Sequence, residues 1–451
     1  MKDFEYKNLW EKGQREFLTF DHNSVLEKKI ESSLNEIIHF SEKSQEEIKA
    51  YQLKKLSELV DYAYLNIPLY REKYSKVDYK VGDIKTFEDF EKLPLLYKEE
   101  LIEGFPDKIV TDVENFKYST RSSGSSAKFV TLAIDFDSIY TDTLQGIRQF
   151  IRQSDFKYKK EDRVLFIYTC PWWIKDINGN YIQDFLPTTT DVSVALEHIK
   201  ETRPLIISTY PTYLQKFCEL DVKLSDYGVK YAIVHSEQSN PKTRNAMAKE
   251  LGVKVVDEYS SEELTRIALE CSEGYYHIEE DACYIEVLDR ETKKKVDNGT
   301  GIVVGTNLIN KATPIIRYWQ NDLVTIDSTK KCSCGSHGRI ITQVQGREMD
   351  CILSDGQKIP ASAFMDLAYN WFLKNRIPVM GMKYQFHQTA ENELKVYLQK
   401  GIYDLMGKDL ETIKESIYQL VSRTMKVNIV FTDKFVKKTT KFKPVLREQF
   451  N

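Results

Sequence analysis

The central part of the chain alternates short apolar runs with helix-length segments, and this pattern restricts the fold more than any other feature of the sequence. The runs are Val164–Tyr168, Leu205–Ser208, Tyr231–His235 and Val253–Val256. A helix is predicted between the last two, from Pro241 to about Leu251. Strand, helix and strand at this spacing predict parallel strands joined by right-handed crossovers. We therefore expect an α/β protein with mixed or parallel sheets flanked by helices.

The two ends of the chain have different patterns. Near the start, apolar residues recur at helical spacing over residues 43–67, and Pro68 ends the run. The last hundred residues predict a hairpin (382–387 and 394–398), a helix (about 408–425) and a strand (427–431). Because 451 residues exceed one typical core, we predict a large N-terminal domain over residues 1–345 and a small C-terminal α+β domain over residues 346–451.

Composition excludes several classes of protein. The chain has 41% apolar and 12% aromatic residues, which is typical of a folded protein, and its net charge of −4 gives no general attraction to nucleic acid. The polar N-terminus is not a signal peptide, and no run of about 18 apolar residues predicts a membrane span. Seven cysteines in so long a chain are not a disulfide framework. We expect a cytoplasmic enzyme without a membrane partner.

A segment rich in hydroxyl groups indicates a phosphate site. It reads Ser122-Ser123-Gly124-Ser125-Ser126-Ala127-Lys128 and lies between predicted strands at 117–120 and 129–134. Gly124 permits close backbone approach, the hydroxyls and amides donate hydrogen bonds, and Lys128 adds positive charge. The spacing differs from that of a Walker A motif. An ordinary Ser/Gly turn is the alternative interpretation.

A second polar segment, residues 257–263, follows the predicted strand 253–256, at the edge of a parallel sheet where ligands bind. Ser260 and Glu263 have the spacing of a helix capping box, so their presence has a structural explanation. Glu262 is not needed for such a cap and is a candidate oxygen ligand for Mg²⁺. Tyr259 offers a flat face for a base.

Three further motifs lie in the second half of the chain. Asp322 ends a β-rich segment that starts at Pro314, where its carboxylate suits two ribose hydroxyls, although a turn aspartate is equally compatible with this segment. Residues 346–350, Gly-Arg-Glu-Met-Asp, stand at the predicted domain boundary. Residues 439–444, Thr-Thr-Lys-Phe-Lys-Pro, stand almost at the C-terminus and belong to a basic tail.

Three cysteines and one histidine form a candidate metal site. Cys271 and His277 are six residues apart, and Cys332 and Cys334 form a tight CxC pair. Three thiolates and one imidazole would complete a tetrahedral zinc set without a position for water, which is typical of a structural site. His337 is a weaker substitute for His277. Unrelated reduced cysteines remain the alternative.

In this order, the motifs resemble the adenylate-forming superfamily of acyl- and aryl-CoA ligases, and within it the phenylacetate–CoA ligases and their capsule-biosynthesis-type relatives. Residues 60–71, Val-Asp-Tyr-Ala-Tyr-Leu-Asn-Ile-Pro-Leu-Tyr-Arg, are similar to the N-terminal signature of that family, as is the segment from Phe90 to Lys98. The similarity extends from about residue 55 to the end of the chain. It implies ATP-dependent activation of a small carboxylic acid as acyl-AMP, followed by transfer to CoA.

The resemblance also implies a role for each matching position. The segment of residues 122–128 corresponds to the loop that holds the β- and γ-phosphates, Glu262 to the Mg²⁺ ligand, and Lys441 to the lysine that bridges the carboxylate and the α-phosphate. In relatives, Cys and His residues at the positions noted above often bind zinc, and the small domain is mobile. The remaining positions imply contacts with the nucleotide: Ser236, Glu237, Asp257, Glu258 and Tyr259 at the adenine, Ser261 at the α-phosphate, and Asp322 with Arg347 at the ribose.

Several positions differ from the family pattern. Ala127 and Thr440 replace glycines, Met349 replaces an acidic hinge residue, and Lys443 lies close enough to Lys441 to compete for its assignment. These differences leave two alternatives open. One is an acyl-adenylate enzyme that transfers to an amine or a carrier protein, and the other is a catalytically weak nucleotide-binding scaffold. The sequence also permits a homodimer.

The acid pocket is predicted from aromatic residues beside the strand ends. Its candidate residues are Tyr168, Trp172, Tyr210 and His235, together with Cys170 and Trp173. Aromatic side chains at this edge suit a planar ring acid, so an aryl or arylacetic acid is the first expectation, and a short acyl or amino acid the second. Plain core packing is the alternative interpretation of the same residues.

Overall fold

A computed structural model describes residues 7–8, 17, 23–113, 118–122, 129–374, 383–402, 410–438 and 442–450. The helices are Asn23–Lys29 (α1), Asn35–His39 (α2), Gln45–Asn66 (α3), Pro68–Ser75 (α4), Phe87–Glu91 (α5), Lys98–Gly104 (α6), Phe136–Gln153 (α7), Val192–Thr202 (α8), Pro211–Cys218 (α9), Pro241–Leu251 (α10), Ala361–Lys374 (α11) and Leu410–Ile417 (α12). Within the described part of the chain, no helix is long and apolar enough to cross a membrane.

The strands in the described part of the chain belong to four sheets. They are Lys7–Asn8 (β1), Tyr118–Arg121 (β2), Thr131–Ile134 (β3), Val164–Tyr168 (β4), Gln183–Pro187 (β5), Ile206–Thr209 (β6), Tyr231–His235 (β7), Lys254–Ser261 (β8), Thr265–Glu270 (β9), Tyr276–Ile278 (β10), Cys283–Leu288 (β11), Asn298–Asn307 (β12), Tyr318–Asp327 (β13), Ile340–Arg347 (β14), Ile352–Ser354 (β15), Gln357–Ile359 (β16), Tyr384–Ala390 (β17), Glu393–Leu398 (β18), Lys426–Phe431 (β19) and Val445–Arg447 (β20).

The largest sheet combines a parallel half with an antiparallel half. Its strand order is β11-β12-β13-β14-β10-β9-β8-β7-β6-β4-β5. Strands β5, β4, β6, β7 and β8 are parallel, as the alternating pattern predicts. From β8 to β9 the pairing becomes antiparallel. The carboxyl ends of β4, β6, β7 and β8 therefore lie along one edge, where a parallel sheet offers a crevice.

The C-terminal residues form a separate four-stranded sheet of order β19-β18-β17-β20. Its core is built from apolar residues between Ile352 and Val445, with α11 and α12 packed against it. The α+β pattern predicted for this part of the chain is confirmed, although the helix predicted over 408–425 is described only as Leu410–Ile417. The domain boundary near 346–350 remains a prediction.

The structure corrects the interpretation of Ser260 and Glu263 as a helix cap. Strand β8 continues through Ser261, and Ser261 pairs with Thr265 of the antiparallel strand β9. No helix begins between Ser261 and Thr265. The Ser261 Oγ atom instead accepts the Leu264 amide at 3.1 Å within the turn that connects the two strands. Cross-strand pairing with β9 outweighed the local capping signal because it extends a sheet that already has four strands on the other side of β8.

Candidate active site

A cleft of about 170 Å³ has the carboxyl ends of β7 and β8 on one side. On the other side lie residues 344–350 and residues 442–445. Three kinds of segment contribute: the strand ends, residues 344–350 with Asp322, and a short segment close to the C-terminus. The lining residues are Ser236, Glu237, Gln238, Ser239, Asp257, Glu258, Tyr259, Ser260, Asp322, Val344, Gly346, Arg347, Asp350, Ala361, Phe442, Lys443, Pro444 and Val445. The structure thus brings together seven of the fourteen residues predicted to contact a nucleotide.

Asp322 lies on the cleft wall, held by three neighbours. The Tyr259 hydroxyl donates to Asp322 Oδ2 at 2.8 Å, the Gln320 side-chain amide donates to the same oxygen at 3.0 Å, and Arg347 Nε lies 3.5 Å from Oδ1. Burial lowers the pKa of Arg347, but the charges of Asp322, Asp350 and Glu263 together outweigh this effect, so the pKa of the arginine is raised. Asp322 is within β13, not in a turn, because it pairs with Arg347 across the β13–β14 ladder. This arrangement presents a fixed carboxylate to the cleft.

Beneath the cleft lies a buried network that the sequence analysis missed. Arg244 Nη2 donates to Glu270 Oε1 at 2.5 Å, and Arg244 Nη1 lies 3.5 Å from Asp257 Oδ2. The Tyr276 hydroxyl donates to the same Asp257 oxygen at 2.6 Å. The residues come from α10, β8, β9 and β10, so no local spacing in the sequence could reveal them. The network fixes the Asp257 side chain at the cleft floor.

Asp257 makes the free energy of unfolding of the protein depend on pH. Burial, only partly offset by Arg244, raises the pKa of Asp257 from 3.8 to about 7. Its protonated form is therefore favoured by folding; this contribution is complete below about pH 4 and is lost as the pH rises through about 7. We expect the free energy of unfolding to fall between these values relative to Asp257→Asn, by up to about 1 kcal/mol per pH unit. Urea unfolding at several pH values measures this, and parallel profiles for the two proteins would contradict it.

Glu258 and Glu237, predicted at the adenine, are each held by a neighbouring element. The Gln149 side chain on α7 donates to Glu258 Oε2 at 2.6 Å. Burial would raise the pKa of Glu258, but Arg266 and other neighbours outweigh it and lower that pKa. Glu237 Oε2 accepts both the amide and the hydroxyl of Thr212, at 3.2 and 2.7 Å, at the start of α9. Both carboxylates therefore have fixed orientations at the cleft.

Tyr168, Tyr210, His235 and Ser236 form a group at the carboxyl ends of β4, β6 and β7, which we call the aromatic–polar cluster. The Tyr168 ring lies 5.1 Å from that of Tyr210 and 4.9 Å from that of His235. The Ser236 Oγ atom is hydrogen-bonded to the Tyr168 hydroxyl at 3.1 Å and to His235 Nδ1 at 3.0 Å. Three of the four residues predicted to bind the acid are thus in contact.

Trp172, the fourth predicted residue, packs differently. Its ring lies 5.8 Å from that of Phe150 and 6.0 Å from that of Phe166, within a hydrophobic cluster. The indole nitrogens of Trp172 and Trp173 both donate to Asp142 Oδ2, at 3.2 and 2.6 Å. Trp172 therefore has the core-packing role that the sequence left open, with its polar atom satisfied by a buried carboxylate.

The predicted magnesium ligand lies beside the strand that leads into the hydroxyl-rich segment. Glu262 Oε2 accepts the Thr120 hydroxyl at 2.6 Å, and Thr120 precedes Ser122 by two residues. The Ser122 side chain accepts the amide of Val130 at 3.0 Å across the hairpin. Ser261 Oγ lies 3.4 Å from Gln320 Oε1. The remaining predicted residues of the segment, Ser123, Gly124, Ser125, Ser126 and Lys128, lie outside the described residues.

Of the two candidate lysines near the C-terminus, the structure describes one. Lys443 Nζ donates to both carboxylate oxygens of Asp350, each at 2.9 Å, and both residues line the cleft. Lys441 lies outside the described residues. The ion pair neutralises the Lys443 ammonium and joins residues 442–445 to the predicted hinge.

Cys271, His277, Cys332 and Cys334 converge on one point. Their four ligand atoms all lie within 4.8 Å of one another. The Sγ atoms of Cys271 and Cys332 are 3.7 Å apart, and Cys334 Sγ lies 3.2 Å from His277 Nε2. The other ring nitrogen of His277 is 3.4 Å from the Gly338 carbonyl oxygen, which leaves Nε2 directed at the thiols. His337, the weaker alternative, instead lies 3.2 Å from the Lys43 carbonyl oxygen.

Comparison with known sequences finds related enzymes, although no family model matches the chain. The phenylacetate–coenzyme A ligase of Aromatoleum evansii is 26% identical over 332 residues, covering 69% of this chain and 73% of that enzyme. The enzyme of the same name from Thermus thermophilus is 24% identical over 336 residues, covering 70% and 74%. A third, from Escherichia coli, is 23% identical over 334 residues, covering 70% and 75%.

Comparison with solved structures identifies the fold. A 2-hydroxyisobutyryl-CoA ligase, crystallised in the postadenylation state with its acyl-AMP, matches with a TM-score of 0.72 at 18% identity and covers 90% of each chain. The open conformation of the same ligase matches with a TM-score of 0.62 at 17% identity and covers 88% of this chain and 91% of that one. The fold expected from the order of the motifs is therefore confirmed.

Proposed function

We propose that this chain, a homologue of the phenylacetate–coenzyme A ligases with the fold of the adenylate-forming acyl-CoA ligases, uses ATP to convert a small carboxylic acid into acyl-AMP and then into its CoA thioester. The first of these steps rests on the cleft, and the second on the relatives that match most of the chain. The capsule-biosynthesis-type branch remains a prediction within this family, as do a cytoplasmic location and a homodimer.

The observation that carries the proposal is the arrangement of Asp322, Tyr259 and Arg347 on the cleft wall. A fixed carboxylate can accept two adjacent ribose hydroxyls, and the guanidinium of Arg347 lies beside that carboxylate. The adenine then fits against the adjoining wall, formed by the ends of β7 and β8, where four further predicted residues lie near Tyr259: Ser236, Glu237, Asp257 and Glu258. Ser261, one residue beyond this wall, is assigned to the α-phosphate.

The chemistry requires positive charge where two anions meet. In the first step a carboxylate oxygen of the acid attacks the α-phosphorus and pyrophosphate leaves, so negative charge accumulates between the reactants. We assign Lys441 and Lys128 to the stabilisation of this negative charge. The hydroxyls of residues 122–126 are assigned to hydrogen bonds with the departing phosphates. Mg²⁺, held by Glu262, would supply Lewis-acid stabilisation of the phosphate oxygens. Thr120 orients that carboxylate through its 2.6 Å hydrogen bond.

In the second step a thiol attacks the acyl carbonyl and AMP leaves. The relatives named above are CoA ligases, which supports CoA as the acceptor. The small domain, residues 346–451, is assigned the rotation that removes Lys441 and admits the thiol, with residues 346–350 as the hinge. Gly346 has φ of +105°, a conformation that glycine adopts without strain, and thus suits a segment that must change its backbone angles.

We assign a zinc ion to the cluster of Cys271, His277, Cys332 and Cys334. The donor set fits: three sulfur atoms and one imidazole nitrogen converge, and the second histidine nitrogen is oriented by a backbone carbonyl. Zinc would supply a cross-link between the β9–β10 turn and the loop before β14. Since β8 with Tyr259 and β13 with Asp322 belong to the same sheet, this link supports both walls of the nucleotide cleft.

Asp322 gives a prediction for nucleotide affinity. Replacing it by Asn removes the charge and keeps the shape, so charge-assisted hydrogen bonds to the ribose, each worth about 1.5–3 kcal/mol, are weakened. We expect the KM for ATP to rise about tenfold to a hundredfold. Asp327→Asn, at the far end of the same strand, is the matched control because the Asp327 carboxylate accepts the amide and the hydroxyl of Thr329 within a turn. An unchanged KM in Asp322→Asn would contradict the ribose assignment.

ATP–pyrophosphate exchange with a panel of acids tests the proposed function. Exchange that depends on an acid demonstrates adenylation, and no exchange with any acid leaves only the scaffold alternative. Adding CoA, amines or a carrier protein to an active pair then identifies the acceptor. Formation of an acyl-CoA supports the proposal, whereas exclusive transfer to an amine or a carrier overturns its second step.

A further inference from the structure

The aromatic–polar cluster extends from the nucleotide cleft into the protein. Ser236 lines the cleft and belongs to the cluster at the same time. Its hydroxyl is hydrogen-bonded to Tyr168 on one side and to His235 on the other. A continuous polar path therefore begins at the nucleotide cleft, beside the residues assigned to the adenine, and runs along the ends of β4 and β7.

The cluster is largely withdrawn from solvent, and its phenol groups are neutral. His235 and Tyr210 are only 7% and 8% exposed. Burial, reinforced by Tyr210 and by nearby Cys170 and Glu262, raises the pKa of Tyr168 well above its ordinary value. The phenols therefore remain protonated and act as hydrogen-bonding groups without charge. A pocket for an unsubstituted hydrocarbon ring would be lined mainly by apolar side chains.

The backbone at Ser236 is held in an unusual conformation. Its φ is +68°, in the left-handed region that non-glycine residues rarely adopt. Such a conformation persists where the surrounding structure keeps a side chain in a required place. Here it places the Ser236 hydroxyl between Tyr168 and His235 at the edge of the cleft.

We propose that the acid carries a neutral hydroxyl group in addition to its carboxylate, and that Tyr168, His235 and Ser236 recognise this hydroxyl. The inference rests on the proposed function, because it places the acid beside the nucleotide at the strand ends. A site built to hydrogen-bond a substrate hydroxyl rejects the analogue without it by as much as about 10⁴-fold. A plainly apolar pocket has the reverse preference, because it leaves the hydroxyl without a partner.

Matched pairs of acids that differ by one hydroxyl test the inference. One series compares phenylacetate with its 2-, 3- and 4-hydroxy derivatives, and the other compares isobutyrate with 2-hydroxyisobutyrate. We expect kcat/KM in ATP–pyrophosphate exchange to be more than about tenfold higher for at least one hydroxylated acid than for its parent. Smaller ratios in both series would overturn the inference and leave the proposed function intact. No exchange with any acid would remove both.

A conservative substitution identifies the groups responsible. Tyr168→Phe removes one oxygen, and we expect the hydroxyl preference, the ratio of the two kcat/KM values, to fall at least tenfold. Tyr213→Phe is the matched control, because the Tyr213 hydroxyl donates to the Thr190 carbonyl at 2.8 Å and not to the cluster. An unchanged ratio in a folded Tyr168→Phe protein, checked by circular dichroism, would overturn the assignment. If that variant does not fold, the matched pairs of acids assayed with the unaltered enzyme still test the proposal.

Discussion

Replacing Lys441 by Ala is expected to lower ATP–pyrophosphate exchange about a hundredfold or more. The reason is electrostatic: a carboxylate must approach a triphosphate, and a preorganised positive charge at that point is worth about 3 kcal/mol or more to the transition state. The assignment comes from the resemblance of residues 439–444 to the family motif, and the residue itself lies outside the described part of the chain. Initial exchange rates at saturating ATP and acid measure the effect.

Lys443 provides the matched control for this prediction. Its ammonium is already neutralised by both oxygens of Asp350, with both side chains largely withdrawn from solvent. We therefore expect Lys443→Ala to lower exchange less than Lys441→Ala, by roughly tenfold or less, through misplacement of the cleft wall. Asp350→Asn should resemble Lys443→Ala, because it weakens the same contact. A larger loss in Lys443→Ala than in Lys441→Ala would transfer the catalytic assignment to Lys443.

Elements with strong local signals were predicted well from the sequence. Helix α3 occupies Gln45–Asn66 within the predicted 43–67, because Ser44 and Glu47 form a capping box at its start and Pro68 follows its end. Strands β4 and β7 have the predicted bounds, and the predicted parallel pairing is confirmed. The bounds of these elements depend on residues that lie close together in the chain, so apolar periodicity and Pro68 were sufficient. The parallel pairing followed from the strand–helix–strand spacing.

The parts of the site that the sequence could not predict depend on distant pairs. Arg244 meets Glu270 across 26 positions, Tyr276 meets Asp257 across 19, and Lys443 meets Asp350 across 93. Such pairs are fixed by strand order and not by spacing. The cap predicted at 260–263 was wrong for the same reason, since the serine–glutamate spacing is compatible with a turn between antiparallel strands. The motif resemblance was needed to connect Asp322 with Tyr259, 63 positions away.

The metal cluster shows both what the sequence could predict and what it could not. The sequence supplied four residues of the correct chemistry, but the distance of 61 positions between Cys271 and Cys332 gave no proof that they meet. In the structure, the antiparallel pairing of β10 with both β9 and β14 brings the two segments together. Three sulfur atoms within 4.8 Å of one another would repel as thiolates, and a divalent cation offsets that repulsion. The cluster is therefore expected to need an ion for its full stability.

Removing one ligand of this cluster should lower both metal content and stability. We expect protein purified without chelator to contain about one equivalent of zinc, and Cys332→Ser to contain less than about half an equivalent. Because structural zinc sites contribute up to about 10 kcal/mol in small domains, the melting temperature of the variant should fall by several degrees or more. Metal analysis and thermal unfolding by circular dichroism measure the two effects on the same sample.

Cys218→Ser is the matched control for the zinc site, because Cys218 ends α9 and is not part of the cluster. It should retain zinc, so a loss of stability shared by both variants would indicate the general cost of replacing a cysteine. Chelator treatment of the unaltered protein should reproduce the effect of Cys332→Ser, and added zinc should reverse it. Less than about half an equivalent of zinc in the unaltered protein would contradict the assignment. So would a melting temperature that neither chelation nor Cys332→Ser changes, because a structural ion must contribute to the stability of the sheet that it joins.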